Sequence, residues 1–131
     1  KAAKRFSRNP STAFSFAEGT RYTSAKHLHQ QSPYPDLLKP KVGALAIALS
    51  GMPQVETLVD FTVIYSSPKR STWDFLCGDL SRAKVIAKTY PLPDKLKNRS
   101  FEEEDDYRIN FQKFIDGIWS EKQKMITELK S

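Results

Sequence analysis

Thr12-Ala13-Phe14-Ser15-Phe16-Ala17-Glu18-Gly19-Thr20-Arg21 sets two phenylalanines two positions apart among small residues. It then ends in a carboxylate, a glycine, a hydroxyl and a guanidinium. Period-two spacing of large apolar side chains predicts a short strand over Thr12–Ala17. A strand running straight into Glu-Gly-Thr-Arg places a flexible turn at a sheet's C-terminal edge, where α/β proteins bind ligands. The arginine fork suits a phosphate bidentately, and backbone amides at such a turn add further donors. Thr20 supplies a hydroxyl. Glu18 is placed either to accept from a substrate hydroxyl or to hold Arg21.

The neighbouring sequence extends the same pattern. Lys1 to Arg8 mixes Ala2, Ala3 and Phe6 with four basic residues and reads as a helix's last turns, broken by Asn9-Pro10-Ser11. From Tyr22 to Pro40 the polar residues and three prolines predict a long loop. Val42 to Met52 is apolar nearly all round and predicts a buried helix closed by Gly51 and Pro53. Asp60–Tyr65 and Ala83–Tyr90 read as strands, with a short helix expected between them over Ser71–Gly78. Finally Tyr107, Phe111, Phe114, Ile115, Ile118, Trp119, Met125, Ile126 and Leu129 recur at helical spacing. They form one apolar stripe on a long amphipathic helix, which Ser100 and Glu103 are spaced to start as a capping box. The stripe is expected to pack into a core rather than to lie on a membrane. The order of elements predicts an α/β fold: a partial sheet with flanking helices and a long C-terminal amphipathic helix.

Composition narrows the function less than the motif does. The 131 residues suffice for one modest core, and 39% hydrophobic with 27% charged residues is ordinary for a globular domain. A formal net charge of +6 favours anionic partners, whether nucleic acid, phospholipid headgroups or phosphorylated small molecules. Cys77 is the single cysteine, which rules out an intrachain disulfide and points to a reducing compartment. No stretch is apolar for the roughly 20 residues that a bilayer span needs. The chain opens on Lys1 rather than methionine and is expected to be part of something longer.

Three segments carry a resemblance: Phe16 to Thr23, Leu37 to Leu49 with its Leu-Leu-Lys-Pro-Lys-Val-Gly start, and Trp119-Ser120-Glu121-Lys122. With their spacing, they make the chain similar to the C-terminal half of the 1-acylglycerol-3-phosphate acyltransferase family. The likeness is greatest to the subgroup with a long loop after F-x-E-G-T-R. The resemblance implies that residues 1–131 form the C-terminal part of a single acyltransferase domain. Such an enzyme moves a fatty acyl group from a thioester, acyl-CoA or acyl-carrier protein, to a lysophospholipid such as lysophosphatidic acid. It implies that Glu18, Gly19, Thr20 and Arg21, with a basic residue at Lys41 or else Lys39, bind the glycerol-phosphate moiety. No metal or redox cofactor and no nucleic acid is implied. The parent protein is expected at a membrane surface, with this part on the cytoplasmic side.

The family's base is a histidine in H-x-x-x-x-D, whose aspartate orients and charges the imidazole. His27 would need aspartate at Ser32, and His29 would need it at Tyr34. No catalytic residue is therefore expected in this chain, and the motif is expected on its N-terminal side. His27 and His29 read as solvated loop residues, since no nearby cluster completes a metal shell. Cys77 reads as a small buried hydrophobe. The acidic run Glu102–Asp106 reads as charge favoured at a helix N-terminus. The alternative to an enzyme is a small basic module that binds nucleic acid or another polyanion without catalysis, supported by net charge alone.

Overall fold

The computed structural model describes residues 10, 12–65, 73, 76–78, 82–97 and 105–131. They form helix α1 (Ser24–Gln30), helix α2 (Gly43–Ser50), strands β1 (Thr57–Tyr65) and β2 (Ala83–Pro91), a 3-10 turn (Asp94–Leu96) and helix α3 (Asp105–Lys130). The chain divides into two compact units, one of Lys1–Glu56 with Leu92–Ser131 and one of Thr57–Pro91. Helices together with a two-stranded antiparallel sheet and a long C-terminal helix give the mixed α/β character that the sequence predicts.

The first unit is built on α3. Its stripe turns Tyr107, Phe111, Ile115, Ile118, Trp119 and Ile126 into the core, with Leu37, Leu38, Ala46, Met52, Leu92 and Leu96 buried as well. The core-packing expectation for this helix therefore holds. Phe114 and Met125 sit at the stripe's margin, half-buried, and Leu129 is exposed near the C-terminus. The Tyr107 hydroxyl donates to the Leu96 carbonyl at 3.2 Å, which ties α3 to the 3-10 turn. The capping box at Ser100 and Glu103 lies outside the described residues, as does most of the acidic run.

Three expectations for this unit need correction. Residues 12–16 form no strand, and Phe14 and Phe16 are 84% and 93% exposed. A strand requires a hydrogen-bonded neighbour, and among the described residues none lies beside this segment. The loop expected over Tyr22–Pro40 contains α1, started by Thr23, whose side-chain oxygen accepts from the Lys26 N–H at 3.2 Å. Gln31 ends it in the left-handed conformation (φ 48°), with its N–H directed to the carbonyls of His27 and Leu28. The apolar helix α2 buries only Ala46, while Ile47 stays 51% exposed. A helix that is apolar on every face leaves some of that face in water whenever it packs on one side only.

The second unit is a hairpin. β1 pairs with β2 antiparallel from Thr57 opposite Pro91 to Tyr65 opposite Ala83. Both predicted strands form and run slightly longer than expected, but they pair directly as neighbours. Alternation puts Leu58, Asp60, Thr62 and Ile64 on the more protected face of β1. Val59, Phe61, Val63 and Tyr65 lie on the other face, with Val85 from β2, and all five are exposed. Phe75 and much of the helix expected over Ser71–Gly78 lie outside the described residues. Within that stretch the Cys77 N–H donates to the Trp73 carbonyl at 2.8 Å, and Gly78 takes the positive φ (+80°) of a helix stop. Cys77 is exposed, contrary to the buried role expected of it.

Candidate functional site

The Glu18–Arg21 turn is closed locally by the Gly19 N–H, which donates to the Phe16 carbonyl at 2.8 Å. Gly19 sits at φ +68°, a conformation that a Cβ would strain. The turn is held from the other side by the Lys41 N–H, which donates to the Ala17 carbonyl at 2.6 Å. That bond lays the Lys41 side chain over Gly19. A Cβ placed there would lie 3.3 Å from Lys41 Cδ and 3.7 Å from its Nζ. The absence of a side chain at Gly19 thus makes room for an ammonium beside the turn.

A second ammonium arrives from α1. Lys26 Nζ donates to Thr20 Oγ1 at 2.6 Å and to the Arg21 carbonyl at 3.4 Å. No local pattern in the sequence marks Lys26, because its position depends on α1 forming. The signal was Thr23, a good N-cap that starts the helix three residues before Lys26. Arg21 itself is exposed, and among the described residues no carboxylate pairs with Arg21, Lys26 or Lys41. The structure thus gathers Gly19, Thr20, Lys26 and Lys41 at one turn, with Arg21 next in sequence.

Glu18 faces the opposite way. The fully buried Leu38 donates its N–H to Glu18 Oε1 at 3.3 Å, while the Leu38 carbonyl accepts from Trp119 Nε1 at 3.0 Å. Both backbone polar groups of this one buried residue are therefore satisfied, one by the turn and one by α3. Burial pushes the Glu18 carboxyl up from its ordinary value of 4.5, and the Leu38 N–H and the Lys122 ammonium draw it partly back. Lys122 is itself buried, with its Nζ 4.8 Å from the Trp119 ring centroid. Of the two roles open to Glu18, holding Arg21 is not the one seen; it anchors the turn to Leu38.

The Ser32–Leu38 segment is fastened along α3 by further polar contacts. The Asp36 N–H donates to Gln123 Oε1 at 3.0 Å, Gln123 Nε2 donates to Asp36 Oδ2 at 2.9 Å, and Lys130 pairs with the same carboxylate. His27 contributes to this framework too. Its Nε2 lies 2.8 Å from the Tyr34 carbonyl, and its ring stands 5.7 Å from that of Tyr22. His27 is thus a half-buried structural residue rather than a solvated one, while His29 is exposed. Lys39, the alternative to Lys41, is exposed, and its N–H donates to Gln30 Oε1 at 3.1 Å.

Among the described residues no group of three or more His, Cys, Asp or Glu side chains is arranged to hold a metal ion. No described helix is long and apolar enough to cross a membrane. No protein-family model, curated protein sequence or solved structure matches the chain.

Proposed function

We propose that this chain is the acceptor-holding part of a glycerophospholipid acyltransferase. Its Gly19–Arg21 turn, with Lys41 and Lys26, would grip the phosphate of a lysophospholipid such as lysophosphatidic acid. The observation that carries the reading is the placement of Lys41 over Gly19 while Lys26 bonds Thr20. Two ammonium groups and a guanidinium that no carboxylate among the described residues pairs, around one exposed turn whose own carboxylate is turned inward, favour a multiply charged anion. Further support comes from the three segments that suggest the family. Glu18, Leu38, Trp119 and Lys122 belong to those segments, and they meet one another around the backbone of Leu38.

In this reading the acyl group leaves a thioester, acyl-CoA or acyl-carrier protein, and forms an ester with the acceptor hydroxyl. The thiol departs, and a histidine outside this chain takes the hydroxyl proton. The contribution of this chain is position. Fixing the phosphate turns a bimolecular attack into an oriented one. The parent enzyme would work at a membrane, with this part on the cytoplasmic side.

The direct test is binding of glycerol 3-phosphate followed by amide NMR. Gly19 and Thr20 amides should shift with glycerol 3-phosphate and not with glycerol. Arg21→Ala and Lys41→Ala should each weaken binding by roughly tenfold or more, as the loss of a charge-assisted hydrogen bond implies. In an enzyme that contains this chain, Arg21→Ala should raise KM for the phosphorylated acceptor and lower kcat/KM. Unchanged kcat/KM and unchanged amide shifts would remove the assignment.

A further inference from the structure

Hydrogen-bond direction at Thr20 says more about a ligand than charge does. An ammonium has three donors and no acceptor, so the 2.6 Å contact from Lys26 Nζ fixes Thr20 Oγ1 as the acceptor. The hydroxyl keeps its one proton, and among the described residues no group accepts it. Thr20 is exposed, so that proton is presented to solvent. Donation from a cation also polarises the hydroxyl and makes it a better donor outward. The same bias extends around the turn. The carbonyls of Phe16, Ala17 and Arg21 already accept from Gly19, Lys41 and Lys26, and Glu18 Oε1 accepts from Leu38. The Arg21 guanidinium and the Lys41 ammonium beside Gly19 have donors alone.

The consequence concerns the protonation state of the ligand. A phosphate monoester that still carries its second proton brings a donor to a surface of donors, and that proton needs an acceptor. Glu18, the turn's own carboxylate, is committed to Leu38 and does not supply one. A fully ionised phosphate brings acceptors only, which Thr20, Arg21, Lys26 and Lys41 can all meet. Resting on the reading of the Gly19–Arg21 turn as a phosphate grip, we propose that the turn selects the doubly ionised phosphate and that Thr20, held as an outward donor by Lys26, sets this specificity. Any oxyanion without a proton, sulfate included, fits the same donors.

Sulfate therefore supplies the standard for the test. It holds no proton near neutral pH, whereas a phosphate monoester loses its second proton near about pH 6. Binding of glycerol 3-phosphate and of inorganic sulfate to the whole chain is followed by the Gly19 and Thr20 amide shifts, at about pH 5 and about pH 7 and constant ionic strength. A change of charge at His27 or His29 on α1, or at Glu18, acts on both anions, so the ratio of the two dissociation constants reports the ligand. That ratio should move by roughly tenfold in favour of sulfate at the lower pH, because about one phosphate in eleven is doubly ionised one unit below its pKa. At the higher pH, Thr20→Val should weaken both anions by roughly tenfold, as the loss of a hydrogen bond to a charged group implies, while Thr20→Ser stays within about threefold of the parent. A ratio that ignores pH overturns the proposal, and so does a Thr20→Val chain that binds glycerol 3-phosphate as tightly as the parent. Either result leaves the phosphate grip standing. The grip fails, and the proposal with it, when neither anion shifts the two amides at either pH. The unsubstituted chain decides the matter through the ratio even where Thr20→Val does not fold.

Discussion

Replacing Glu18 separates the two things its carboxylate does. It accepts a hydrogen bond from the buried Leu38 N–H at 3.3 Å, and it places a negative charge near the buried Lys122. Glu18→Ala deletes both. Leu38 is fully buried, so water does not reach its amide, and an orphaned buried N–H costs about 1–3 kcal/mol. Glu18→Gln keeps a carbonyl oxygen at the same reach and removes the charge that burial penalises. We expect the alanine variant to lose about 2 kcal/mol at neutral pH, with a fall in Tm of roughly 4–8 °C for each kcal/mol. The glutamine variant should stay within about 0.5 kcal/mol of the parent.

The pH dependence supplies a second, independent reading of the same residue. Burial raises the Glu18 carboxyl above 4.5, so the folded chain holds that proton more tightly than the unfolded chain does. The stability it contributes is complete below the unfolded value and is lost as pH rises through the folded one. Other carboxylates superimpose their own trends, so the informative quantity is the difference between the parent and Glu18→Gln. In urea melts followed by far-UV circular dichroism between about pH 4 and about pH 7, the parent should lose stability relative to Glu18→Gln as pH climbs. The reasoning fails if Glu18→Ala costs less than about 0.5 kcal/mol, or if the parent gains on Glu18→Gln with rising pH.

Other substitutions probe the same framework. Gly19→Ala forces a Cβ into a left-handed backbone and against Lys41, and should cost about 1 kcal/mol in a thermal melt while weakening glycerol 3-phosphate binding. Trp119→Phe keeps a large ring but leaves the Leu38 carbonyl without its indole donor, which should cost about 1–2 kcal/mol in urea unfolding. Tyr107 ionises above its ordinary value of 10 because it is buried, so stability should fall as pH rises beyond that value. Tyr107→Phe should lose about 1 kcal/mol at neutral pH, through the bond to Leu96, and flatten the alkaline decline.

The parts of the fold that the sequence discloses are those set by a repeating pattern. Tyr107, Phe111, Ile115, Ile118 and Trp119 recur at helical spacing, so the face of α3 that is buried follows from the residues alone. Alternation likewise reveals β1 and β2, which each keep one face more protected. Alternation does not say what a strand pairs with. Phe14 and Phe16 alternate as well as any strand does, yet they stand exposed without a neighbour among the described residues. Helix α1 escapes a periodicity argument for a different reason. It buries no residue, so it has no apolar stripe, and its visible mark is the capping geometry of Thr23 at one end and Gln31 at the other.

The candidate site divides along the same line, and the division bears on what the motif does. Gly19 and Arg21 are recognisable because turn geometry and anion chemistry are local properties of four consecutive residues. The groups that make the turn a site come from farther away: Lys26 on α1, Lys41 ahead of α2, and Trp119 with Lys122 on α3. Leu38 shows why they come together. Its N–H is taken by a residue 20 positions earlier and its carbonyl by one 81 positions later. A buried residue leaves neither backbone group unpaired without penalty, so Glu18 and Trp119 are both held to Leu38. The consequence for Glu18 is a change of role. A carboxylate committed to Leu38 is withdrawn from the outer side of the turn, and among the described residues that leaves Lys26 and Lys41 without a carboxylate partner. On the proposed function, an anion arriving at Thr20 would meet Lys26 and Lys41 with no carboxylate among the described residues to displace, which is the electrostatic condition for gripping a phosphate.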